Sequence, residues 1–224
     1  MSALIRMRLL AYVRTGRFIL PVLAALILLG VGYGGGPSTL ANAYGVSALL
    51  LFPALAWQTK LILDVEPDVQ RKLALVALGS RAREVAAGLV AAALAALPLV
   101  LVALVLPFVF DAVTSADLGG GLALGLWAHL VTVPAALALG AWSSRVIAGA
   151  PGRAAAVLAT GIVLAFVLGL RGSPVPWLAP PLMSTAKTLA GTAEATALLG
   201  LTAWALVWGA VVLAGYGWLR RTRA

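Results

Sequence analysis

Long apolar runs without a charged residue dominate the chain, and they limit the folds open to it. Residues 85–110 form one such run, rich in Ala and Leu and lacking the apolar–polar alternation of a membrane β-strand. About 20 apolar residues in a helix cross the core of a bilayer. Only 10% of the residues are charged and 62% are hydrophobic, unlike a soluble domain. The sequence therefore predicts an all-α integral membrane protein with one transmembrane domain, residues 1–224.

The apolar runs predict six transmembrane helices, at residues 18–33, 40–63, 85–110, 122–142, 154–170 and 195–219. With this count, Arg171 and Lys187 are the only ones of the sixteen Lys and Arg residues on one side of the membrane. Cytoplasmic loops carry the excess of basic residues. The bias predicts that both termini are cytoplasmic and that the protein is a multi-pass protein of the plasma (cytoplasmic) membrane.

Two segments outside the spans are expected to lie at the membrane surface. Residues 1–17 carry four arginines among apolar residues, which predicts an N-terminal interfacial helix. Residues 171–194, before the last span, contain four prolines and several large apolar side chains. They predict short extracellular helices that re-enter the membrane; the alternative is a proline-rich loop anchored by Trp177 at the interface.

The residues that usually carry catalysis or ion binding are scarce. The chain has no cysteine and one histidine, and its seven acidic residues lie in predicted loops or at span ends. A metal site, a catalytic site and proton- or sodium-driven transport are therefore not expected. No GxxxxGK[ST] phosphate loop occurs, so the chain is not expected to bind ATP in that way. The basic residues form no single patch, so no nucleic-acid partner is expected.

Some polar or aromatic side chains within predicted spans are candidates for lining a transport pathway, because a polar group in lipid needs a partner. His129 in the fourth span has two open interpretations. It is either a functional ionisable group at membrane depth or a neutral imidazole bonded inside the helix bundle. The candidates are Asn42, Tyr44, Trp57, Gln58 and His129.

The most informative polar stretch, residues 64–84, joins the second and third predicted spans. Glu66 and Pro67 are typical of a helix start, Gly79 of a helix end, and Ser80 of the cap of the next helix. These signals predict a short cytoplasmic helix, charged at its start and apolar along one side. A solvated loop is the alternative.

The order of these features resembles the type-2 ABC exporter permease family over nearly the whole chain. Members of that family have a basic N-terminal surface helix, six spans, a coupling helix between spans two and three, and a long extracellular connection before the last span. The family's Ser-Arg signature corresponds to Ser80 and Arg81, and Gly88 stands at its Gly-Lys position. Two residues depart from the pattern, Gly79 in place of a proline-like turn and Leu89 in place of lysine.

The resemblance implies a permease subunit of an ATP-driven exporter rather than an enzyme. Two such subunits, identical or related, form the pathway in a dimer. A separate pair of ABC ATPase subunits holds ATP and Mg and docks on the coupling helix, for which the candidate contacts are Asp64, Glu66, Asp68, Arg71, Lys72 and Arg81. A haem-exporter-like permease subunit and a small membrane enzyme that acts on lipid stay open as alternatives.

Overall fold

The computed structural model describes residues 1–114 and 118–222. These residues form helices joined by short connections, and within the described ranges the only β-type pairing is an isolated bridge between Ser38 and Val113. A short 3-10 helix, Pro176–Leu178, lies before α9. The α-helices are α1 Ser2–Arg14, α2 Ile19–Tyr33, α3 Leu40–Leu63, α4 Asp68–Leu78, α5 Arg81–Val109, α6 Leu118–Trp142, α7 Arg145–Ala148, α8 Pro151–Leu168, α9 Leu182–Ala190 and α10 Ala195–Thr222.

Five helical segments are long and apolar enough to cross a membrane: α3, α5, α6 together with α7, α8 and α10. A sixth arises only if α1 and α2, which meet at an angle of 74°, are counted as one bent span. Gly16 lies between them with a φ of +66°, a left-handed conformation that ends α1. The all-α fold is confirmed, and its helices are compatible with a multi-pass membrane protein. The first predicted span, residues 18–33, corresponds to α2, whose 15 residues do not qualify as a membrane span without α1.

The local signals around the polar stretch agree with the structure. Gly79 ends α4 with a φ of +63°, and the Ser80 side chain accepts a hydrogen bond from the Arg83 backbone N–H. Pro67 is the residue before α4 rather than its first residue. Since α5 begins at Arg81, the last part of the predicted polar stretch is the first turn of a long helix.

The connection predicted at residues 111–121 is shorter than expected, because α6 already begins at Leu118. Residues 115–117 of this connection, which include Asp117, lie outside the described residues. Just before these residues, the Ala112 carbonyl accepts a hydrogen bond from the Ser38 backbone N–H at 3.1 Å. This contact ties the connection to the segment before α3.

The centre of the bundle is α3, which packs most extensively against α6. Glycines on α6 allow the two backbones to approach closely, as is common between membrane helices. A Cβ on Gly125 would collide with the Tyr44 ring, and one on Gly140 would lie 2.6 Å from the Ala56 carbonyl oxygen. By contrast, α8 and α10 are largely exposed along their length. Their apolar surfaces are therefore open to lipid or to another subunit.

The segment before α10 packs against the start of α3. The α9 helix buries Leu182, Thr185 and Leu189, and a Cβ on Gly45 would lie 3.1 Å from the Ala186 carbonyl oxygen. The 3-10 helix is fixed by the Trp208 indole, which donates to the Leu178 carbonyl at 2.8 Å. This segment and the α4 region therefore lie at opposite ends of α3.

Candidate functional site

Most of the charged side chains that contact one another lie at one end of the bundle, where α3 ends and α5 begins. We call this end, which also includes α4, α7 and the last turns of α10, the basic end. Three of its acidic residues, Asp64, Glu66 and Glu84, are no more than 5% exposed. Carboxylates buried this deeply need cations or hydrogen-bond donors to be tolerated, and each of them has such partners.

Glu84, in the first turn of α5, is held between two arginines from distant parts of the chain. Arg8 of α1 donates through Nη2 to one of its oxygens, and Arg220 of α10 lies 2.8 Å from the other. Arg8 is itself only 2% exposed. Glu84 and the two arginines therefore join α1, α5 and the end of α10 in one buried ion cluster.

Glu66 and Asp64 continue the ion cluster into the connection between α3 and α4. The Glu66 carboxylate lies 2.8 Å from Arg8 Nη2. Asp64 accepts from Lys60 Nζ at 3.0 Å and from the Arg145 backbone N–H at 2.8 Å. The Asp64 carbonyl oxygen accepts from Arg17 Nη1 at 2.9 Å. Both ends of this short connection are therefore fixed to neighbouring helices.

Arg8 keeps its charge in this buried position. Burial acts to lower the pKa of Arg8, but the hydrogen bonds and negative charges of Glu66 and Glu84 outweigh that effect and raise it. Gly88, one turn after Glu84, provides the room, since a Cβ there would lie 2.5 Å from Arg8 Nη1 and 2.7 Å from Leu63 Cδ2. Gly88 thus lies against the buried arginine.

The short helix α4 stands out from the bundle at the basic end. None of its residues is buried. Val69, Leu73 and Val76 are 70%, 65% and 81% exposed and follow helical spacing along one face. A row of large exposed apolar side chains on a surface helix is typical of an interaction surface.

Beside α4, the basic end contains an open cleft of about 550 Å³. Five cations and two carboxylates lie among its walls, together with two aliphatic side chains. The residues that form it are Asp68, Arg71, Lys72, Leu75, Arg81, Glu84, Arg145, Val146, Gly149 and Arg220. This cleft brings together four of the residues that the sequence analysis selected, namely Asp68, Arg71, Lys72 and Arg81.

The six predicted docking residues thus fall into two groups. Asp68, Lys72 and Arg81 are exposed, and Arg71 pairs with Asp68 at 2.7 Å. Asp64 and Glu66 lie in the interior and are engaged with cations of the same chain. In this arrangement the two buried carboxylates fix the connection before α4 and are not on the surface that a partner would touch.

His129 and Tyr44, two of the predicted pathway residues, lie together in the centre of the bundle. Both are fully buried, with ring centroids 6.0 Å apart. His129 Nδ1 lies 2.7 Å from the Gly125 carbonyl, which can only accept, so this nitrogen carries a proton. Nε2 lies 3.2 Å from the Ser47 hydroxyl. The contacts are those expected of an imidazole bonded inside the bundle.

The other pathway candidates on α3 do not join this pair. Gln58 lines a separate groove of about 370 Å³ between α1, α2 and α5, and its amide makes no hydrogen bond with any part of the chain that the structure describes. Asn42 contributes its backbone N–H to the cap of α3. Trp57 is half-buried. A single chain therefore does not assemble these residues into one site.

Four residues that hold the basic end together were not predicted from the sequence: Arg8, Glu84, Arg145 and Arg220. One signal was available: the chain has only seven acidic residues, and a carboxylate at the end of an apolar helix needs a cation. Which of the sixteen cations supplies it depends on tertiary packing. Within the described ranges, no group of three or more His, Cys, Asp or Glu side chains could hold a metal ion.

The contacts at the basic end are therefore the main guide to function. Comparison of the chain with protein-family models, with curated proteins and with solved structures finds no match.

Proposed function

We propose that this chain is the permease subunit of an ATP-driven ABC exporter. Two permease subunits form the pathway, and a separate pair of ATPase subunits holds ATP and magnesium. The observation that carries the proposal is α4, a short helix between α3 and α5 that exposes a row of apolar side chains, Val69, Leu73 and Val76. A partner that covers this face removes apolar surface from water, which favours binding.

The way in which α4 is anchored supports a role in transmitting movement. The connection before it is held by Asp64 and Glu66, which bind cations on other helices. Arg8 bridges Glu66 to Glu84 of α5, and Glu84 bridges to α10. A displacement of α4 by a docked ATPase would therefore act on several helices at once, because the charged contacts cannot be lost without leaving buried charges unpaired.

In the proposed arrangement the basic end faces the cytoplasm of the plasma membrane, in line with the excess of basic residues on cytoplasmic loops. Here α2 is the first of six spans, and α1 lies at the interface, bent by 74° from α2. The 3-10 helix and α9 then lie on the outer side, where they re-enter the membrane before α10. This placement is supported by the burial of α9 against α3 at the end opposite α4.

Affinity purification of the tagged chain from its own cells tests the proposal. We expect a protein with a Walker A motif and an ABC signature, encoded by the neighbouring reading frame, to co-purify in comparable amount. Elution of the intact chain without any ATPase would contradict the proposed function.

A matched pair of variants tests the role of α4. Leu73→Glu places a charge on the exposed apolar face, whereas Gln70→Glu places the same charge on another exposed position of the same helix. We expect Leu73→Glu to reduce ATPase recovery about tenfold or more, because an unpaired charge would be buried at the contact, and Gln70→Glu to leave it unchanged. Equal recovery with both variants would show that the ATPase docks elsewhere. Exposed positions are preferable to Glu66, since its substitution leaves Arg8 with one partner fewer inside the protein.

A further inference from the structure

The cleft at the basic end has an uneven charge balance. Its walls hold five cations against two carboxylates, and both carboxylates are already bound by arginines of the same chain. Glu84 is further compensated by Arg8, which lies behind the cleft. The cleft therefore has an excess of positive charge that no acidic residue on its walls can balance.

Two guanidinium groups on the cleft walls also have hydrogen-bond donors without acceptors. Arg71 Nη1 and Arg145 Nε are buried and make no hydrogen bond within the described ranges. Arg145 Nε lies 3.9 Å from Asp64, too far for a hydrogen bond. Buried donors are nearly always satisfied in folded proteins, so the guanidinium groups of Arg71 and Arg145 have hydrogen-bonding capacity that the described chain does not use. Lys72, on the same wall, forms no ion pair in the part of the chain that the structure describes.

We propose that this cleft binds a phosphate group, carried either by an anionic phospholipid headgroup or by a soluble phosphorylated molecule. Phosphate offers several charged acceptor oxygens at once, and arginine forks match their geometry. A volume of about 550 Å³ leaves room for more than the bare anion. Leu75 and Val146 provide apolar surface for the rest of the ligand.

The position of the cleft makes either source accessible. It opens between α4, α7, the start of α5 and the end of α10, where apolar helices give way to charged residues. Basic sites between transmembrane helices near this level commonly bind anionic lipid headgroups. The proposal uses contacts within a single chain and does not depend on the proposed ATPase.

The test uses the full chain, purified in an uncharged detergent without any ATPase. Three probes are titrated separately: short-chain phosphatidylglycerol, short-chain phosphatidylcholine and inorganic pyrophosphate. Binding is measured by calorimetry and by the shift in the thermal unfolding temperature. We expect saturable binding of phosphatidylglycerol, of pyrophosphate or of both, and weaker binding at high salt because charges are screened. A response to phosphatidylglycerol alone identifies a lipid headgroup, and a response to pyrophosphate identifies a soluble source.

A matched pair of double variants assigns the binding to the cleft. Arg71→Gln with Lys72→Gln removes two cleft cations, whereas Arg83→Gln with Arg153→Gln removes two exposed cations that do not line it. We expect the first pair to weaken binding about tenfold or more, because charge-assisted hydrogen bonds are lost, and the second to change it less than about twofold.

The cleft variant should fold normally, since the ion pair of Arg71 is with the exposed Asp68 and such pairs stabilise little. An unchanged unfolding temperature without ligand checks this. Three results would overturn the proposal: no saturable binding of either anionic probe, equal weakening by both double variants, or saturable binding of phosphatidylcholine with the same affinity as phosphatidylglycerol.

Discussion

Replacing the buried arginine at the basic end should destabilise the protein more than replacing any exposed arginine on the same helix. In Arg8→Met, the Glu66 carboxylate would lose the cation that it binds, while Glu84 would keep Arg220. Removing one partner of a buried ion pair costs about 3–5 kcal/mol. For a chain of this size, that corresponds to a fall of roughly 6–20 °C in unfolding temperature.

The measurement is the thermal unfolding of purified protein in detergent at one heating rate, because membrane proteins often unfold irreversibly. Arg6→Met is the control, since Arg6 is exposed on the same helix, and it should change stability by no more than about 0.5 kcal/mol. The double variant Arg8→Met with Glu66→Gln removes the unpaired charge and should recover more than half of the loss. If Arg8→Met and Arg6→Met unfold within about 2 °C of each other, the buried ion cluster does not stabilise the fold.

Glycine substitutions test two of the close approaches in the structure. Gly88→Ala should push against Arg8 and lower the unfolding temperature, because overpacking reduces stability by about 1–3 kcal/mol. In an Arg8→Met background this loss of stability should shrink. An unchanged loss would contradict the contact between Gly88 and Arg8. Gly125→Ala should cost a similar amount because its Cβ meets the Tyr44 ring. Gly217→Ala, with no heavy atom within 4 Å of its Cβ, should instead stabilise α10 by up to about 1 kcal/mol. Equal changes in stability for Gly125→Ala and Gly217→Ala would argue against the packing of α3 on α6.

The elements that sequence reasoning placed well are those fixed by local chemistry. The apolar runs located α3, α5, α6, α8 and α10 to within a few residues of their ends, since each helix satisfies its own backbone polar groups. The end of one helix at Gly79 and the cap of the next at Ser80 were likewise readable, because both depend on the conformation of one residue and its nearest neighbours.

The arrangement of the site could not be predicted, because it depends on contacts between distant residues. Asp64 and Glu66 read as surface charges in a polar stretch, yet both are buried. Arg8 read as one of several interfacial arginines, but α1 packs against α5 and places it between two carboxylates. Nothing in the immediate sequence distinguishes it from Arg6. The choice is made by tertiary packing, for which a single sequence offers no periodic signal.

The link between Glu84 and Arg220 has a consequence for the biosynthesis of the protein. During translation, α5 leaves the ribosome long before α10. Arg8 is therefore the only one of the two arginine partners of Glu84 that is present while the remaining chain is made. The last turn of α10 then completes the cluster. Insertion of α10 is therefore the step that completes the ion cluster. In a nascent chain that stops before Arg220, Glu66 and Glu84 would share one cation, Arg8, and one negative charge would stay unbalanced. Membrane quality control could recognise this defect.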